Sequence, residues 1–98
     1  MRRGTTPTNT FDVDIDLRQA SVMYITYAQK GRTVIEKEIS DITIEEDKLT
    51  VTLTQKETLA LSTGEVEIQI RAKFPEGLAV ESNIMKTTAS RVLKEGEI

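Results

Sequence analysis

In residues 64–74, GEVEIQIRAKF, the side chains alternate without a break: Val66, Ile68, Ile70, Ala72 and Phe74 on one phase, Glu65, Glu67, Gln69, Arg71 and Lys73 on the other. A β-strand sends residues i, i+2 and i+4 to one face, whereas a helix would scatter these five apolar groups around its axis. The segment must therefore be a strand with one face in a core and one in water. KLTVTLT repeats the pattern, with Leu49, Val51 and Leu53 inward against Thr50, Thr52 and Thr54.

Weaker versions of the same period fill the rest of the chain. NTFDVDIDL sets Phe11, Val13, Ile15 and Leu17 against Asp12, Asp14 and Asp16, and predicts a first strand over 9–17. SVMYITYAQ and RTVIEKEI form two more strands, joined by a hairpin turn at Gln29-Lys30-Gly31-Arg32. Ile42 and Ile44 mark a brief strand, and residues 45–48 turn the chain. After Pro75-Glu76-Gly77 a last strand region runs from about 78 to 92, interrupted near 81–83. One helical signal breaks the series: Thr54-Gln55-Lys56-Glu57 has the form of a capping box, with a short helical turn through Leu59 and an end near Ser62-Thr63-Gly64.

About seven short strands, one short helical turn and no βα alternation predict an immunoglobulin-like antiparallel β-sandwich, with a small barrel as the alternative. At 98 residues the chain has the size of one domain. We expect it to occupy residues 1–98, with an extended polar arm at 1–8 and a frayed charged tail at 94–98.

Several chemistries are disfavoured by what the sequence lacks. Without histidine or cysteine it offers neither the usual neutral-pH base nor a thiolate nucleophile, so we expect no enzyme. The lack of cysteine also removes disulfides and thiolate metal cages, which suits a reducing compartment. No apolar h-region follows Arg2 and Arg3, and no apolar run is long enough to span a bilayer. The expected product is cytoplasmic, with no membrane partner. A net charge of −3 and only four aromatic residues, Phe11, Tyr24, Tyr27 and Phe74, argue against nucleic acid as a partner.

Three groups of residues are candidates for function. Asp12, Asp14 and Asp16 would share one side of a strand about 7 Å apart and so invite a cation. Their likeness to an EF-hand loop fails at Leu17, where glycine is needed, and at Met23, where a bidentate glutamate is needed. The simpler reading is a solvated face relieved by cross-strand Arg71 or Lys73. Val22 and Tyr24 lie on the outward phase of a strand whose inward phase is Met23, Ile25 and Tyr27, and are candidates for an interface. The competing readings are that a loop near 81–83 covers them or that the register slips by one residue and exchanges the faces. Arg2 and Arg3 belong to an arm that either stays solvated or lies on a neighbouring subunit.

The stretch LTQKETLALSTGEVEIQIRAKF followed by ESNIMKTTA resembles the small immunoglobulin-like domains of bacteriophage tails and baseplates, including the N-terminal domain of upper baseplate proteins. MRRGTTPTNTFDVDI and YITYAQKGRTVIEKE resemble the short stand-alone proteins of this kind in prophages of gut Firmicutes. The resemblance implies a virion component or assembly module that docks into a larger symmetric tail structure and carries no cofactor; the partners expected for this chain are other proteins, tail or baseplate components first, with a homo-oligomer as a further option. It implies no catalytic motif and transfers no site residue. Upper baseplate proteins continue into a second, partner-binding region, which this sequence does not match. A ligand-binding sandwich, taking carbohydrate or acting as a calcium-dependent adhesion domain, is the alternative.

Overall fold

The computed structural model describes residues 1–98 and contains eight strands, one α-helix and one 3-10 turn. The strands are β1 (Thr8–Asp12), β2 (Val22–Gln29), β3 (Arg32–Glu38), β4 (Ile42–Ile44), β5 (Lys48–Thr52), β6 (Gly64–Lys73), β7 (Ala79–Glu81) and β8 (Met85–Ala89). Helix α1 (Gln55–Ala60) lies between β5 and β6.

The strands form two antiparallel sheets, a three-stranded one in the order β1-β5-β4 and a five-stranded one in which β3-β2-β6 is completed by β7 and β8, both paired with β6. The two last strands occupy successive halves of one position: β7 faces residues 71–73 of β6 and β8 faces residues 64–68. At the break, the Ser82 amide donates to the Ile70 carbonyl (2.8 Å) and the Ile70 amide donates to Ser82 Oγ (2.9 Å), so β6 keeps its partners across the interruption. Counting that position once, the order is that of immunoglobulin strands B-E-D on one sheet and C′-C-F-G on the other. The protein is therefore an immunoglobulin-like sandwich, and the expected strand count of about seven rises to eight because the last one is split.

The core lies between the sheets. Leu49, Val51 and Leu53 face Met23, Ile25 and Tyr27 and the inward row of β6, and all but Ile68, Ile70 and Ala72 of these are almost entirely buried. Asn9 on β1 donates to the hydroxyl of the buried Tyr27 (2.6 Å), a bond that ties the sheets together through the core. Lys30 and Gly31 take positive φ values of 51° and 75°, the type I′ geometry whose twist matches the hairpin it closes. The capping box is present, with the Glu57 amide donating to Thr54 Oγ1 (3.1 Å) and the Thr54 amide to Glu57 Oε1 (2.9 Å). The helix runs one residue past the expected Leu59, to Ala60, and ends before Ser62-Thr63-Gly64 because Leu61 is already extended and buried; Gly64, at φ 133°, begins β6.

The first strand departs most from expectation. It ends at Asp12, where the alternation predicts continuation to Leu17. The ladder runs out there because its partner turns at 45–48, Asp47 being the last residue to accept from β1's side, through the Val13 amide (2.9 Å). Beyond it Asp16 accepts the Arg18 amide (3.0 Å) and holds the Arg18 guanidinium through further bonds of 2.7–3.1 Å in a local ring. Leu17 still reaches the core, but Ile15 is left 40% exposed.

Candidate interaction surfaces

Cross-strand neighbours share a face, so the register defines the outer surface of the five-stranded sheet. Val22 sits beside Lys73, which sits beside Ala79; Tyr24 lies between Glu38 and Arg71, with Glu81 next in that row. Thr26 lies between Glu36 and Gln69. Val22 and Tyr24 are 41% and 38% exposed, whereas Met23 and Ile25 between and beside them are buried. The loop after β7 does not close over them, and the register is the outward one. The result is an apolar pair bordered by acids and bases, the composition of an interface centre with a polar rim. Arg71 and Glu81 are 3.9 Å apart and well exposed, so their attraction is weak.

Arg71 and Lys73 thus belong to this face and not to the aspartates. The aspartate row itself is not assembled: only Asp12 lies on β1, opposite Lys48, Asp16 is occupied by Arg18, and the protein brings no three acidic side chains together in a group suited to a metal ion. The Arg18 guanidinium holds the Asp16 carboxyl below its ordinary range by hydrogen bonding.

Arg2 and Arg3 sit at the other end of β6, where Arg2 bridges in parallel to Ser90, just past β8. Arg2 is exposed, but Arg3 is neither a solvated terminus nor free for a partner. Its side chain is only 15% exposed, and its guanidinium donates to the Leu59 and Leu61 carbonyls at the end of α1 (2.9 and 2.5 Å) and to both carboxylate oxygens of Glu95 (2.9 and 3.0 Å). A cation here satisfies carbonyls that the helix end leaves open. Glu95 in turn draws in the tail expected to fray, as does the bond from the Ile98 amide to Gln55. Bonding to Arg3 lowers the Glu95 pKa.

The rest of the arm is fastened by Thr58, which is fully buried and was not singled out in the sequence. Its hydroxyl donates to the Thr5 carbonyl (2.8 Å) and accepts from the Gly4 amide (3.0 Å). Gly4 is at φ 80° with Leu59 3.4 Å from where a Cβ would stand, so glycine is required for the arm to turn over the helix. Thr58→Val keeps the shape but leaves two backbone groups unpaired; we expect a loss of about 1–2 kcal/mol in denaturant unfolding, with faster amide exchange at Gly4.

A further tie is the Lys37–Glu57 ion pair (2.7 Å), which joins β3 to α1. Lys37 occupies the inward phase of its strand, after Ile35, and is 8% exposed. Burial pushes the Glu57 carboxyl up, but bonds from the Lys37 ammonium and the Thr54 amide outweigh this and leave its pKa below the ordinary value.

A cleft of about 750 Å³ opens between the sheets on the side where β1 faces β7 and β8. Its ionisable lining is Asp12, Asp14 and Glu81, with no histidine, cysteine or basic side chain.

No family model matches this sequence, and no curated protein matches it. Among solved structures, the V domain of amphioxus IgVJ-C2 is similar at 13% identity and a TM-score of 0.39, covering 94% of this chain and 97% of that one. The assignment to an immunoglobulin-like sandwich rests on the strand order above. No helix is long and apolar enough to cross a membrane.

Proposed function

We propose that this chain is a non-catalytic protein-interaction module that docks through the outer face of its five-stranded sheet, with Val22 and Tyr24 at the centre of contact. The observation that carries the reading is the exposure of this apolar pair on a regular strand, inside a border of Glu38, Arg71, Lys73 and Glu81. A tyrosine on a rigid strand offers a large contact area at little entropic cost, and the charged border supplies orientation. The setting we propose is a bacteriophage tail or baseplate assembly, a reading supported by the resemblance of 53–74, 81–89 and the N-terminal stretches to small proteins of that kind. Repeated copies in such an assembly make a second copy of this chain a natural partner for the face.

Light scattering over a range of protein concentrations tests this directly. Wild-type protein is expected to form a defined oligomer that survives dilution, and Tyr24→Ser is expected to weaken association by about tenfold or more, the size of a hot-spot truncation, with thermal unfolding unchanged. A wild-type chain that stays monomeric at every concentration removes self-assembly. Equal association of the variant removes this face from the interface.

A further inference from the structure

The backbone of β1 has one side bonded and one side bare. The Val13 amide donates to Asp47 and the Leu53 amide to Pro7 (2.9 Å each), which makes the odd-numbered residues of β1 the ones bonded to β5. Bonded and non-bonded pairs alternate in an antiparallel ladder, so the N–H and C=O groups of Thr8, Thr10 and Asp12 point away from β5, where no strand lies beside them. This is the position that strand A fills in a complete immunoglobulin sandwich.

Other sheet edges are guarded: β7 is three residues long, and β8 is met by the arm, whose Met1 ammonium donates to the Thr88 carbonyl (2.9 Å) and whose Met1 carbonyl accepts the Ser90 amide (2.8 Å). Edge strand β3 carries Arg32, Glu36, Lys37 and Glu38 and an irregularity opposite Tyr27 and Ala28, and β4 is only three residues long. Charge, bulges and shortness are the devices that keep edges from pairing. By contrast β1 is a five-residue run with a single charge, Asp12. Directly beside it the cleft exposes apolar groups from both sheets, among them Phe11, Val13, Ile15, Val80 and Met85.

The charge of the cleft is one-sided. Its ionisable lining is Asp12, Asp14 and Glu81, with no lysine or arginine, and none of the protein's ion pairs includes Asp12 or Asp14. A bare ladder edge specifies an extended strand, the apolar floor specifies apolar side chains at every second position, and the acidic rim specifies bases between them.

We infer that the β1 edge and its cleft accept an extended segment of a partner protein in which apolar residues alternate with lysine or arginine, adding it to the three-stranded sheet as a further strand. The two surfaces share Glu81 at their border, but the bare backbone of β1 and the apolar floor of the cleft include neither Val22 nor Tyr24, so either surface can fail without the other.

The probe is a short end-blocked peptide of alternating valine and lysine, added to the full chain and followed by NMR titration and amide exchange. Binding is expected with exchange at Thr8, Thr10 and Asp12 slowed by about tenfold or more. Methylating the peptide amides that would face β1 should abolish it, and replacing lysine by glutamate should weaken it by about tenfold, as should raising salt from about 50 to about 500 mM. Thr10→Pro removes an outward donor without touching the β5 ladder and should block binding. Asp14→Lys, in a bend outside the strand, should weaken it with folding intact, while Tyr24→Ser should leave it unchanged. The proposal is overturned by any of three results: no binding at millimolar peptide, equal binding of the methylated peptide, or protection on β3 in place of β1. Concentration-dependent pairing of the chain with itself through β1, in preference to the peptide, would also overturn it by making a second copy the occupant.

Discussion

Ile25→Ala is expected to destabilise the protein by about 2–5 kcal/mol, while Tyr24→Ser, one residue away, stays within about 0.5 kcal/mol of wild type. Ile25 is fully buried at the centre of β2, paired to Lys37 on one side and Ile70 on the other, and its truncation leaves a cavity that the two sheets cannot both close. Tyr24 points to solvent and loses only surface contact. Against a total stability of about 5–15 kcal/mol for a domain of this kind, the first change approaches unfolding. Urea unfolding of the two variants measures the contrast. Similar losses at both positions would mean that β2 is covered on both faces and that the proposed contact surface does not exist.

Lys37→Met is expected to cost about 2–3 kcal/mol at neutral pH, less than the loss of one partner from a fully dry pair because Glu57 remains a quarter exposed. The variant keeps the length of the side chain and removes the ammonium that Glu57 faces across the gap between β3 and α1. The effect has a pH signature. Since the folded Glu57 carboxyl titrates below its ordinary value of 4.5, it binds protons less readily than in the unfolded chain. Its contribution is present in full above about pH 5 and is lost as pH falls through the folded value. The gap between wild type and Lys37→Met should therefore narrow as pH drops below about 5 and through the folded value. A gap that stays constant with pH would show that packing of the lysine stem, and not the ion pair, accounts for the loss.

These expectations come from different depths of information. The period of two in residues 64–74 and 48–54 sufficed to assign both strands and their inward residues, because a half-buried strand leaves no other arrangement for such a pattern. Thr54 to Glu57 was equally legible, since a capping box closes within four residues and needs nothing from elsewhere in the chain. The outward direction of Val22 and Tyr24 followed from Met23, Ile25 and Tyr27, although only the pairing with β6 excluded a one-residue slip.

Where the ladder ran out of partner, the pattern misled. The alternation over 9–17 reads as one strand, but the partner strand turns at 45–48 and Asp16 binds Arg18 beyond it, so the three aspartates never share a face. A clue to the Lys37–Glu57 pair was present, a lysine on the inward phase of RTVIEKEI, but its partner lies twenty residues on and is brought near by the packing of α1. The two arginines near the start read alike in sequence and have opposite fates, Arg2 exposed and Arg3 spanning a helix end and a tail.

By itself, then, the sequence determined an antiparallel β fold, the inward residues of its regular strands and a chain without histidine or cysteine, because alternation and composition act over neighbouring residues. Tertiary structure alone decided which edge is bare, where the cleft lies and which charges are paired. Those properties depend on groups far apart in the chain, such as Asn9 and Tyr27 or Arg3 and Glu95, that meet only when the two sheets close on each other.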